Sequence, residues 1–381
     1  MYQHGGDIYS NTGKCDFSAN INFCGMPERV RAAAHAAVDA SVHYPDAACL
    51  ELKRAIAGMD SISDRMVFCG NGAADVIFSL VRAAKPKQAL LPVPSFSEYR
   101  RALESVGCKV AVHMLRSPGA LRLCGEDRSL QHGEDKTRFQ GRENLQLQEP
   151  EDFRLGEDIL DEITPETDMI FLCNPNNPTG LLTDPDLTGR ILKKCEETDT
   201  LLVTEECFLD LTAEPERFSA VPWVGESDHL FVLKAFTKSF AMPGLRLGYG
   251  LSCREGLLEQ MERVSPPWRV SVPAQAAGVA AAKEGEFLRK SREMIAENRK
   301  TLEQELRKMG FQVWDSAANF VFFKGEPGLA EPLRQRGILI RDCGNFEGLS
   351  DGYYRIAVRS SEDNARLLHI MRHICPVQTG R

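Results

Sequence analysis

The stretch FVLKAFTKSFAMPGLRLGYG, residues 231–250, decides the reading of the fold. Its apolar start, residues 231–233, predicts a core strand that delivers Thr237 and Lys238 into a turn. A second strand-like run, residues 245–250, follows Gly244 and carries Arg246. A lysine at the mouth of a buried strand is partly desolvated, which lowers its pKa and leaves neutral amine able to attack an aldehyde. Arg246 adds a planar fork suited to a phosphate dianion. On its own, a Thr-Lys pair near an arginine more often belongs to a solvated loop, so the reading turns on what the rest of the chain places beside it.

Beyond that stretch, five further apolar runs lie at residues 66–69, 89–93, 110–115, 169–172 and 201–204, which with 230–233 and 245–251 make seven. Several are separated by helical patterns, which predicts an α/β unit with a mostly parallel seven-stranded sheet flanked by helices on both faces. Ligands of such sheets sit beyond the carboxyl ends of the strands. Ahead of the first run, the Gly- and Asn-rich N-terminus reads as an arm lying on another surface. A helix over residues 28–41 is predicted from the stripe Val30, Ala33, Ala34, Ala37 and Val38, and a second over 50–59. Between them His43-Tyr44-Pro45-Asp46 is a loop presenting the Tyr44 hydroxyl. Residues 116–158 are charged and Gln-rich, too long for an ordinary connection, and read as an exposed insertion. After Pro266-Pro267-Trp268 a helical region at 274–309 precedes strands at 312–314, 320–323, 338–341 and 354–358 and a helix at 361–374. This predicts a smaller α+β domain with an antiparallel sheet. The expected division is a large domain over residues 45–268, with residues 1–44 joining 269–381 in the small one.

With 381 residues and 43% hydrophobic composition, the chain can bury a large core. A net charge of −8 implies no basic face for nucleic acid. The 12 cysteines are scattered without C-x-x-C or metal spacing, which predicts buried thiols, no metal and a reducing, cytoplasmic compartment. No leader pattern opens residues 1–24 and no apolar run approaches about 18 residues, so no membrane association is expected.

Four more motifs follow predicted strands. Gly70-Asn71-Gly72-Ala73-Ala74-Asp75 opens a helix, where backbone N–H groups can approach a phosphate. In Pro94-Ser95-Phe96-Ser97-Glu98-Tyr99, Phe96 can stack on an aromatic ring, or serve as ordinary core. Asn174-Pro175-Asn176-Asn177-Pro178-Thr179-Gly180 has its backbone fixed by prolines, so the Asn177 amide is aimed; this motif is the specific one. Glu205-Glu206-Cys207-Phe208 supplies a carboxylate that can pair with a pyridine nitrogen, or simply a solvated acidic pair.

In this order, and with T-K-S-F-A-M-P-G-L-R-L-G and Y-Y-R-I-A-V-R added, the motifs resemble the class I/II aminotransferases of pyridoxal-phosphate fold type I. Within that family, H-G-G-D, D-F-S-A-N-I-N and I-R-D-C-G-N-F resemble the threonine-phosphate decarboxylases of cobalamin biosynthesis, with histidinol-phosphate aminotransferases as near relatives. The resemblance implies pyridoxal 5'-phosphate bound covalently by Lys238. Its phosphate would meet Arg246, Thr237 and the backbone of Gly72 and Ala73, its phenolic oxygen Asn177, its ring face Phe96 and its ring nitrogen Glu205. Tyr44 would reach the cofactor of a neighbouring subunit, which implies a homodimer with a shared active site. Arg355 would hold the substrate carboxylate beside Asn20 and Asn177, and His4, Arg341 and Arg359 are candidates for the substrate's own phosphate or for orienting its carboxylate.

Two positions depart from the family pattern. Glu205 stands where relatives have the shorter aspartate, and Ala235 removes a hydroxyl three residues before the lysine. Phe208 occupies a position where aminotransferases keep tyrosine and the decarboxylases phenylalanine. The expectation is decarboxylation of L-threonine O-phosphate or L-serine O-phosphate, with amino transfer second and a non-catalytic binder of a phosphorylated ligand third.

Overall fold

The computed structural model describes residues 4–115 and 152–375. The chain opens with β1 (Cys15–Asp16), α1 (Glu28–Asp39) and α2 (Leu50–Asp60). The sheet region follows: β2 (Val67–Gly70), α3 (Gly72–Ala84), β3 (Gln88–Val93), α4 (Ser97–Glu104), β4 (Lys109–Met114), β5 (Met169–Cys173), α5 (Pro185–Thr198), β6 (Leu201–Glu205), α6 (Pro215–Phe218), β7 (Leu230–Ala235), α7 (Phe236–Ser239) and β8 (Gly248–Leu251). Helices α8 (Leu257–Val264), α9 (Val272–Ala281) and α10 (Gly285–Lys308) lead to β9 (Gln312–Val313) and β10 (Phe320–Lys324). The chain closes with α11 (Ala330–Gln335), β11 (Ile338–Leu339), β12 (Arg341–Asp342), β13 (Tyr353–Ala357) and α12 (Ser361–Ile374).

All seven predicted apolar runs lie in one sheet of order β2-β8-β7-β6-β5-β3-β4, in which β8 alone runs antiparallel to its neighbours. The central strands are buried on both faces, so alternate side chains feed two different cores. Phe171, Cys173, Val203, Leu233 and Ala235 belong to one, and Ile170, Leu172, Leu202 and Val232 to the other. The same period carries past the apolar residues: Glu205 continues the face of Val203, and Lys234 that of Val232. The chemistry at the strand ends is set by this alternation.

The smaller sheet is antiparallel, in the order β12-β13-β10-β9. The N-terminal arm is an extended segment pinned to the C-terminal region, with β1 parallel to β11 and Phe17 carbonyl accepting from Ala357 N at 2.8 Å.

Several expectations need correction. The buried stripe of α1 is Val30, Ala34 and Ala37, whereas Val38 is 57% exposed because the helix ends one residue later and turns away. The helical region at 274–309 is two helices, α9 and α10, broken at residues 282–284. The strand expected at 338–341 is two, since β11 pairs with β1 and β12 with β13. The run at 245–251 begins to pair only at Gly248, which leaves Arg246 on a loop at φ +59°. Of the segment read as an exposed insertion, residues 116–151 lie outside the described residues. Its end is not exposed: Phe153 is buried, with its ring 5.2 Å from that of Trp314 and 5.5 Å from that of Phe322. One aromatic residue in a polar stretch leaves no periodicity to read. Among the described residues no helix is long and apolar enough to cross a membrane.

Candidate active site

Strand β7 ends at Ala235 and gives way to the single turn of α7, which carries Lys238 to the wall of a cavity of about 240 Å³ beyond the carboxyl ends of the strands. Asn22 of the N-terminal arm ties this turn down: its backbone N–H donates to Lys238 O at 3.1 Å and its amide donates to Ser239 O at 2.9 Å. The Lys238 amine lies 5.9 Å from the Phe208 ring centre. Burial lowers its pKa to about 8, with Arg355 and Arg246 adding positive charge that Cys207 and Glu205 partly oppose. The direction matches the desolvation expected from the sequence.

That shift predicts a measurable reactivity. Capture of pyridoxal phosphate by protein stripped of cofactor requires neutral amine, so its rate should rise with pH through about 8, whereas an ordinary lysine titrates near ~10.4. Stopped-flow absorbance across pH, with Lys238→Ala as the blank, checks this. An inflection at the ordinary value would show a solvated amine.

One side of the cavity is an anion cradle. Gly72 opens α3 at φ +81°, and a Cβ placed there would stand 2.3 Å from Arg246 Nη2. At Gly248 a Cβ would stand 2.5 Å from Ala73 N. Only glycines let the helix N-terminus, the adjoining strand and the guanidinium approach this closely, and the helix N-terminus and the guanidinium both favour negative charge. Thr237 lines the same cavity, whereas Ala235 is not among the lining residues.

The middle of the cavity is polar and incompletely paired. Arg355 donates through Nη1 to Asn177 Oδ1 and through Nη2 to Ser18 O at 3.0 Å, while its buried Nε has no partner. Burial lowers its pKa to about 10. Asn20 is 2% exposed, and among the described residues neither its side-chain Nδ2 nor its Oδ1 finds a partner. Glu205 Oε2 accepts from Tyr99 Oη at 2.9 Å and Cys173 Sγ at 3.0 Å, and Oε1 from Cys207 N at 2.8 Å. Phe96 lines the cavity and meets the Tyr99 ring edge-on at 5.7 Å. At the far rim Arg341, 9% exposed, donates to Asp342 O and Asn345 Oδ1, both at 2.7 Å. His4 Nε2 lies 3.1 Å from Glu98 Oε1 beside it.

Lys238, Glu205, Asn177, Arg246, Thr237, Ala73, Phe96, His4, Asn20, Arg341 and Arg355 thus share one cavity, with Gly72 at its edge. Two expected residues do not join them. Tyr44 is 78% exposed and stacks on Trp268 at 4.5 Å, outside the cavity of its own chain. Arg359 is spent on Asp363 at 2.9 Å and Asp16 O at 3.1 Å, over the Phe17 ring, and drops out as a substrate ligand. Sequence reasoning assigned no role to Tyr99, Cys207 or Phe346, all inside quoted motifs; Phe346, the last residue of I-R-D-C-G-N-F, reaches the cavity from the loop after β12.

A planar, phosphorylated pyridine aldehyde fits what is present: a buried amine, an anion cradle, a buried carboxylate, and buried Asn20 and Arg355 atoms awaiting partners. Fold and site together define a pyridoxal-phosphate-dependent enzyme of fold type I. The family model for aminotransferase class I and II matches residues 12–374, and the chain belongs to that family. Threonine-phosphate decarboxylase of Salmonella typhimurium is 32% identical over 363 residues, covering 94% of this chain and 90% of that protein. Histidinol-phosphate aminotransferase of Methanosarcina mazei is 31% identical over 351 residues, covering 90% and 83%. The crystal structure of histidinol-phosphate aminotransferase from Clostridium acetobutylicum is similar at TM-score 0.80 and 26% identity, covering 94% of this chain and 98% of that one.

Proposed function

We propose that the chain removes the carboxyl group, as CO2, from L-threonine O-phosphate or L-serine O-phosphate, leaving an amino-alcohol phosphate for cobalamin synthesis. The observation that carries the reading is a pair of buried cations. Arg355 and Arg341 line one cavity, and among the described residues neither forms a salt bridge to a carboxylate. Two such groups complement a substrate with two anionic ends, since a buried charge is costly without a partner.

In this reading Arg355, with Asn177 and Asn20, grips the carboxylate, and Arg341 with His4 takes the phosphate. Bound pyridoxal phosphate supplies the electron sink. Glu205 would face its nitrogen, Phe96 its ring and Asn177 its phenolic oxygen; Gly72, Ala73, Thr237 and Arg246 would hold its phosphate, and Lys238 would return a proton to the α-carbon. Phe208 keeps the space beside Lys238 apolar. Tyr44, exposed on its own chain, would serve a neighbouring subunit in a homodimer, and the unpaired cysteines suit a cytoplasmic location. The division into residues 45–268 and 1–44 with 269–381 is proposed on the same footing, supported by the β1–β11 pairing.

Amino transfer, as in histidinol-phosphate aminotransferases, is the second reading, favoured by the likeness to the Clostridium acetobutylicum structure. Incubation with O-phospho-L-threonine should release CO2 and an amino-alcohol phosphate in equal amounts. Glutamate formation from 2-oxoglutarate without CO2 would hand the site to the second reading. Wild-type protein that takes up no pyridoxal phosphate would favour the binder instead.

A further inference from the structure

We propose that Tyr99 and Cys173 are positioning residues that adapt a glutamate, at position 205, to the ring-nitrogen partner's role. This rests on the reading of Glu205 as that partner. A glutamate has one more rotatable bond than an aspartate, so its carboxylate has to be held back to present itself at the same depth.

The structure supplies the hold. Cys173 and Glu205 are register partners on β5 and β6, which puts the thiol directly beside the carboxylate, 3.0 Å from Oε2. Tyr99 of α4 donates to the same oxygen at 2.9 Å. Its ring stacks on Phe171 at 4.7 Å and 16° and meets Phe96 at 84°, so its hydroxyl cannot swing without displacing two rings. Oε2 is therefore doubly anchored toward α4 and the sheet. Oε1 holds a single backbone donor, Cys207 N at 2.8 Å, and keeps a lone pair for a pyridinium N–H. Three donors satisfy the oxygens of this buried carboxylate, and the Cys207 thiol adjoins it as well. Burial first pushes both the Tyr99 hydroxyl and the Cys173 thiol well up, with Cys173 and then Glu205 adding to it at Tyr99 and Glu205 adding to it at Cys173, so both remain donors.

The test uses holoenzyme variants and two readouts, cofactor dissociation and the pH titration of the bound cofactor's visible absorbance. Tyr99→Phe keeps the ring stack and removes one charge-assisted hydrogen bond; it should weaken cofactor binding about tenfold. It should also raise the midpoint of the colour titration by about one pH unit, because a ring nitrogen held less firmly in its charged form exerts less positive field. Cys173→Ala should act in the same direction, about threefold on binding, as expected for a weaker thiol donor. In a Glu205→Asp background, where the shorter carboxylate needs no holding back, Tyr99→Phe should change binding less than about twofold. Equal effects of Tyr99→Phe in both backgrounds, or none in either, would overturn the proposal. Glu205→Gln separates the two layers: an unmoved colour titration there would overturn the ring-partner reading and this proposal with it. A shift in Glu205→Gln beside an unmoved Tyr99→Phe would overturn the proposal alone.

Discussion

Lys238→Ala is expected to lower CO2 release from O-phospho-L-threonine by roughly 10⁴-fold, the upper end of what a positioned acid–base group contributes, while leaving the fold intact. The side chain sits on a one-turn helix held by Asn22 through Lys238 O and Ser239 O, contacts that involve backbone atoms and survive truncation. The anion cradle of Gly72, Arg246 and the start of α3 is untouched, so pyridoxal phosphate should still bind, without its covalent link. What disappears is an amine poised near pH 8, in an apolar setting beside Phe208, that can both hold the aldehyde and return a proton. Added methylamine should restore part of the rate, since a small amine can enter a cavity of this size and carry the proton. A variant that keeps a tenth or more of the wild-type rate would remove Lys238 from the reaction.

That lysine was legible because two signals coincide: an apolar run buried on both faces, and an arginine eight residues further on. The seven strands were legible for the first reason alone, since central strands of a covered sheet read as unbroken apolar runs. The one-turn helix that aims Lys238 was not, because four residues show no period. Val38 misled because a helical stripe says nothing about where the helix stops being covered. Arg359 misled because a cation near a motif looks the same whether it meets a substrate or its own chain's Asp363. Phe346 and the arm residue Asn22 reach the site by tertiary contact only. Cys173 and Tyr99 lay within or beside motifs, but the carboxylate that gives them a purpose comes from another strand.

The least legible feature also carries the largest expected effect on stability. Lys234 directly follows the apolar run of residues 230–233, yet its ammonium is buried on the sheet face opposite Glu205, 3.3 Å from Asp60 and 3.1 Å from Asp210. Asp60 lies 174 positions away in sequence. Burial alone would lower the Lys234 pKa, but Asp210, Asp60 and Glu206 together raise it, so it stays charged. Burial raises the Asp60 carboxyl despite the lysine, and lifts that of Glu206 to about 7. Tyr249 donates to Asp60 at 2.9 Å, and Ser239 of α7 to Asp210 at 3.3 Å, which links the network to the turn bearing Lys238. Lys234→Met keeps the length and removes the cation, and should cost about 3–5 kcal/mol, the usual penalty for leaving buried partners of a broken pair uncompensated. The pH dependence has a definite sign. Without the lysine, the folded-state pKa of Asp60, already raised by burial, moves further above the unfolded value, so the folded form binds more protons than the unfolded one and stability falls as pH rises. The deficit in urea unfolding should therefore be larger at pH 8 than at pH 5, and Lys234→Arg, which keeps the charge, should lose less at both. A loss under about 1 kcal/mol that does not change with pH would mean that Tyr249 and Ser239 satisfy these carboxylates without the lysine.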